Sequence, residues 1–148
     1  MRKRTVAREC ALKVLYQRDV TALNIELINQ HFWEDATEDY SMDIKDFAAR
    51  LVFGVHQHCE EIDSKITTYA TNWQLKRMAV IDRNILRLGV FELFYAPDIP
   101  PKVTINEAVE LAKKYGDSES SIFVNGILDK MHKTEIVAGN NTKKETEP

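Results

Sequence analysis

Glycine is scarce in this chain, five in 148 residues, and none falls in a phosphate-loop or dinucleotide-binding pattern. The backbone cradles that hold nucleotide phosphates are therefore absent. Cysteine is scarcer still. Cys10 and Cys59 both lie in helix-like stretches, the usage of reduced thiols in a cytosolic protein rather than of a disulfide framework. Met1-Arg2-Lys3-Arg4 is not followed by the apolar run and small-residue cleavage site of a signal peptide, and no lipidation motif is present. No segment shows the alternation of a β-strand, and no internal repeat occurs. These absences leave a soluble, intracellular, cytoplasmic helical protein as the expectation, with no membrane segment.

The most apolar stretch is Met78–Tyr95, MAVIDRNILRLGVFELFY, in which twelve of eighteen residues are apolar and cover nearly the whole helical circumference. Such a helix belongs inside. Asp82, Arg83, Arg87 and Glu92 spaced along it argue against a bilayer span. Around it, the spacing of apolar residues predicts a helix over 5–19 and a second after Asn24, a plausible N-cap. One long helix is expected from Asp43 to Tyr69, with any interruption near Asp63-Ser64. Ala96–Pro101 ends the central helix because proline lacks an N–H and disfavours helix before it. Thr104-Ile105-Asn106-Glu107 has the form of a capping box for the next helix, and Gly116 fits its stop. A last helix is expected over about 118–133, with Gly126 as a close packing contact. At this length one domain is expected, all-α, with about seven helices in two packed layers. The polar stretch 139–148 reads as a disordered tail.

Net charge is only −3, but it is unevenly distributed. Residues 1–20 hold six basic against two acidic side chains, whereas the other 128 hold 14 basic and 21 acidic. A basic end on an acidic body points to an anionic partner. Arg2, Lys3, Arg4 and Arg8 can neutralise phosphates on one short surface, and Tyr16, on the outward side of the same helix, can stack on an unpaired base. Phe123 and Glu119 form a second pair at helical spacing. From periodicity alone, Phe123 reads more simply as core. No catalytic arrangement stands out. His56, His58 and Cys59 sit too close along one helix to converge on a metal, so a structural cysteine with solvated histidines is the better reading. Glu92, flanked by Ile81, Ile85 and Leu88, reads as a buried acid paired with a helix-borne arginine.

Arg8–Tyr16, the core run Ile81–Leu93, and above all Val103–Lys114 followed by Phe123-Val124-Asn125-Gly126-Ile127-Leu128-Asp129-Lys130 resemble the NusB family of bacterial transcription antitermination factors. The resemblance runs from about residue 2 to 133. It implies an all-α fold of two three-helix bundles, about 1–72 and 73–138, and a non-enzymatic function without cofactor or metal. It further implies binding of single-stranded boxA-type RNA from ribosomal RNA leaders, together with NusE, a small-subunit ribosomal protein, in an RNA polymerase antitermination complex. In that family the arginine-rich start of the first helix binds RNA, matched here by Arg2, Lys3, Arg4 and Arg8. Tyr16, Glu119 and Phe123 match positions near the RNA, and Asp82, with Arg83 beside it, matches the side facing NusE. Thr5, Val6 and Ile122 depart from the more basic pattern of some relatives, which weakens the expected electrostatic attraction.

Two rivals stand beside this reading. NusB-like domains also precede some ribosomal RNA cytosine methyltransferases, but a chain ending near 148 without a nucleotide-binding loop is not expected to carry that enzyme. The other rival is a homodimeric protein-interaction module whose arginines are merely solvated.

Overall fold

The computed structural model describes residues 2–137, and every regular element in that range is helical. Seven α-helices follow one another: α1 (Lys3–Thr21), α2 (Ile25–Glu34), α3 (Met42–Gln57), α4 (Cys59–Tyr69), α5 (Val80–Tyr95), α6 (Pro101–Tyr115) and α7 (Ser120–Met131). A 3-10 turn, Leu75–Arg77, precedes α5, and a π-helical turn, His132–Val137, follows α7. The tail expected over 139–148 lies outside the described residues. Among the described residues no helix is long and apolar enough to cross a membrane.

Helix α5 is the centre. Residues 84–93 are buried without a gap, and α5 packs against α1, α3, α4, α6 and α7. On one side α1 gathers α2 and α3; on the other α6 and α7 pack together against α5. Helix α4 joins the second group through α5 and α7, so a group of three helices and a group of four share one core. The approach to α5 is close enough to require glycine. A Cβ at Gly89 would lie 2.6 Å from a Leu128 methyl, and one at Gly54 would run into the Phe91 ring. Gly126, by contrast, has nothing within 4 Å of such a Cβ. It is exposed, so the close packing expected there occurs at Gly54 and Gly89 instead.

Asn24 caps α2 as its side chain predicts, with Oδ1 accepting from the Glu26 and Leu27 N–H groups at 2.8 and 3.2 Å. Gly116 follows the last residue of α6. The long helix expected over 43–69 is two helices, and the break falls at His58, not at Asp63-Ser64. Hydrogen bonds run through it, His58 N–H to Gly54 C=O and Ile62 N–H to His58 C=O, so the apolar spacing continues across the break. The His58 ring stacks on Tyr95, centroids 4.0 Å apart.

Thr104 is not a cap. Helix α6 begins earlier, at Pro101, whose missing N–H costs nothing at the first helical position. This turns Thr104 inward, where its hydroxyl donates to Glu92 at 2.9 Å. Glu92 thus sits in the core as a paired acid, held by Arg8 on α1 and Thr104 on α6.

Candidate nucleic-acid interface

The basic start of α1 has no acidic residue in its first turn, so the positive end of the helix dipole and the basic side chains add rather than cancel. The four basic residues nevertheless do not form one patch. Arg2 lines a groove of about 790 Å³ between α1 and α6, shared with Thr5, Glu9 and Lys114. Lys3 and Arg4 turn to the opposite side, toward α3. There the Lys3 ammonium meets Asp43 at 3.2 Å and the Arg4 guanidinium lies 4.5 Å from the centre of the Phe47 ring.

Arg8 is a correction to the expected surface arm. It is 2 % exposed, with Nε and Nη2 donating to the two Glu92 oxygens at 2.8 and 2.7 Å. Its Nη1 lies 3.3 Å from Glu107, which also accepts from the Thr5 hydroxyl at 2.6 Å. A guanidinium fork matched to a carboxylate and closed off by Phe47 is a core ion pair, not a phosphate ligand. The reason is positional: one side of α1, including Ala7, Ala11 and Leu15, is fully buried, and Arg8 lies on that side.

At the other end of α1, Tyr16 is 38 % exposed. Glu119 is exposed at the start of α7, and Phe123 one turn on is half-buried. The Phe123 ring meets Trp73 edge-to-face with centroids 6.0 Å apart. These aromatic rings form one wall of a cavity of about 480 Å³, whose other walls include Met78, Asp82, Asp117 and Ser120. Asp82 is only 9 % exposed, and its Oδ1 has no hydrogen-bond partner among the described residues. Burial pushes this carboxyl up from the usual aspartate range, with Asp117 adding to the shift and Ser120 opposing it. An apolar-walled cavity with an under-satisfied acid suits a donor-bearing group from outside.

Arg83, one residue on, is spent within the chain. Its Nε donates to Asp19 Oδ2 at 2.8 Å, and Asn84 and Arg87 donate to the same oxygen at 2.9 and 2.7 Å. Arg87 also forks onto Asp63. Burial pushes the Asp19 carboxyl up, but the contacts with Arg83, Arg87 and Asn84 outweigh it and hold the group below the usual range. The Arg83/Arg87 stripe is thus an internal clamp between α1, α4 and α5.

Trp73, Asp117 and Ser120 were not legible as site residues. Trp73 lies where helical periodicity lapses, and only its size in a polar stretch marks it. Lys114 and Tyr115 also went unassigned, although Lys114 donates to Glu9 at 3.0 Å and so faces α1. Among the described residues no group of three His, Cys, Asp or Glu is placed to hold a metal ion.

Comparison with known proteins places this geometry. The NusB family profile matches residues 5–133. A transcription antitermination protein NusB of Anaeromyxobacter dehalogenans is 51 % identical over 129 residues, covering 87 % of this chain and 89 % of its own. One from Thermodesulfovibrio yellowstonii is 43 % identical over 150 residues, covering 96 % and 99 %. Among solved structures, NusB from T. maritima superposes with a TM-score of 0.80 at 38 % identity, covering 90 % of this chain and 92 % of that one. A crystal structure of antitermination factors NusB and NusE in complex with dsRNA gives 0.80 at 34 %, covering 90 % and 98 %. Fold, helix order and sequence agree over almost the whole described length, and on that ground the chain belongs to the NusB family.

Proposed function

We propose that this protein is a transcription antitermination factor that binds single-stranded boxA-type RNA jointly with NusE, as part of an RNA polymerase antitermination complex, and has no catalytic role. The observation that carries the reading is the pairing of two unlike features in one NusB fold. A basic, acid-free helix start supplies sequence-independent attraction. Some 18–20 Å away along α1, by helical rise, Tyr16 is 38 % exposed, and Trp73 is exposed beside Phe123; such rings suit unstacked bases. A NusB relative is known in complex with NusE and dsRNA, which supports an assembly with NusE and RNA here.

Within this reading, Arg2, Lys3 and Arg4 attract the phosphates, and Tyr16, Phe123 and Glu119 meet the bases. Asp82 offers its open oxygen to the protein partner. Arg83 and Arg8 serve the fold that presents them. Joint binding is then tighter than either binary contact, since each partner completes the surface seen by the other.

An electrophoretic shift of boxA-type RNA across salt, with and without NusE, tests this. A ternary complex whose affinity falls with salt and falls further in Arg2→Ala/Arg4→Ala is expected. Absence of any RNA shift when NusE is present would overturn the reading.

A further inference from the structure

Helix α1 presents Arg2, Thr5, Glu9, Lys13, Tyr16 and Val20 at spacings of three and four, so they form one strip along its outer side. From Arg2 to Tyr16 the strip is about 21 Å long by helical rise. That is too far for one side chain to bridge, and its N-terminal turn offers no cation beyond Arg2, since Thr5 is neutral and Lys3 and Arg4 face α3. An RNA strand joining the two ends needs charge in the middle.

The middle holds a small built arrangement. The ammonium groups of Lys13 on α1 and Lys114 on α6 lie 5.9 and 5.4 Å from the centre of the Tyr115 ring. The Tyr115 hydroxyl donates to Glu9 at 2.9 Å, and Lys114 donates to both Glu9 oxygens at 3.1 and 3.0 Å. The other acids of the adjoining groove are engaged elsewhere: Glu107 is turned inward to Thr5 and Arg8, and Glu110 pairs with Lys113 at 3.5 Å. Among the described residues Lys13 has no carboxylate partner, and the Lys114 side chain is half exposed. Each ammonium has three donors, so both retain capacity for an oxygen from outside.

We propose that Lys13 and Lys114, steadied against Tyr115, hold consecutive backbone phosphates of the RNA between the basic start of α1 and the Tyr16 end. This rests on the RNA-binding reading above and adds two binding residues and a route across the α1–α6 seam. Glu9 acts as an internal stand-in for phosphate: it orients Lys114 in the free protein and competes with the RNA for it.

The test measures binding of a fluorescent boxA-type RNA to the protein with NusE, by anisotropy, from low to moderate salt. With single-stranded RNA each phosphate contact contributes about 0.7 to the slope of log affinity against log salt. Lys13→Gln/Lys114→Gln is expected to flatten that slope by about 1.4 and to weaken binding roughly tenfold near 0.1 M salt. Glu9→Gln, which keeps an acceptor for Tyr115 but removes the competing charge, is expected to tighten binding several-fold, a gain that a purely structural role would not give. Wild-type binding with an unchanged slope in the double lysine variant, or no gain in Glu9→Gln, overturns the phosphate assignment alone. Failure of the wild type to bind RNA overturns the functional reading, and this assignment with it.

Discussion

Arg8→Ala separates a structural arginine from an RNA-contacting one. The guanidinium supplies two short charge-assisted hydrogen bonds to Glu92 and a third contact to Glu107. Its removal leaves the Glu92 carboxylate, 2 % exposed, with Thr104 as its sole remaining hydrogen-bond donor. Breaking a buried pair from one side costs about 3–5 kcal/mol, because the surviving charge is stranded in a low-dielectric interior. Set against a typical domain stability of roughly 5–15 kcal/mol, this is a large share. Urea unfolding of the isolated protein at neutral pH, followed by helical circular dichroism, reads it directly as a lower midpoint with unchanged slope. Arg8→Met/Glu92→Met removes both charges, keeps much of the volume, and is expected to recover at least half of the loss. A surface phosphate ligand behaves oppositely: its loss leaves stability within about 0.5 kcal/mol and depresses RNA affinity. A single variant costing less than about 1 kcal/mol, or a double variant no better than the single, would refute the core-pair account.

Two further outcomes concern the fold. The Asp82 carboxyl, pushed up by burial, binds its proton more tightly folded than unfolded. Its ionisation therefore subtracts from stability as pH rises above the unfolded value of about 3.9. Asp82→Asn is expected to raise the Tm at neutral pH and to flatten stability against pH just above that value, while weakening NusE capture; equal Tm values at pH 7 would contradict it. Gly89→Ala forces a methyl against Leu128, 2.6 Å from the added carbon. It is expected to cost about 1–3 kcal/mol in the same urea assay, whereas Gly126→Ala, in open space, is expected to be neutral or stabilising.

What could be read from sequence depended on whether a residue's fate was local. Asn24 caps because its oxygen needs only the next turn, and the α5 stretch had too much apolar surface to lie anywhere but inside. Glu92 was legible as a paired acid for the same reason: its neighbours on the helix are all core. Arg8 was not, since charge near a basic terminus reads as solvated until α5 and α6 close over it. Thr104 and Glu107 carry the spacing of a capping box, yet Pro101 starts the helix a turn earlier and both side chains go to tertiary partners. His58 leaves the apolar spacing intact, so the break there leaves no local mark. At the site, the residues on α1 and α7 follow helical periodicity, while Trp73 and the Lys13–Tyr115–Lys114 arrangement exist only through packing between helices.

The single carboxylate of Asp19 has a consequence for the order in which the molecule assembles. It lies in the last turn of the first helix, with Arg18 of the same helix 3.8 Å away, but its short hydrogen bonds come from residues 83–87, and Arg8 waits for Glu92 and Glu107. Loops of more than sixty residues must close before these short contacts form, which is slow and entropically costly. During synthesis the first helix can pack on α2 and α3 as they emerge, but these charge contacts close only after α5 and α6 have followed. The strip on its outer side that we propose faces RNA is made first, and the ion pairs behind it are completed last.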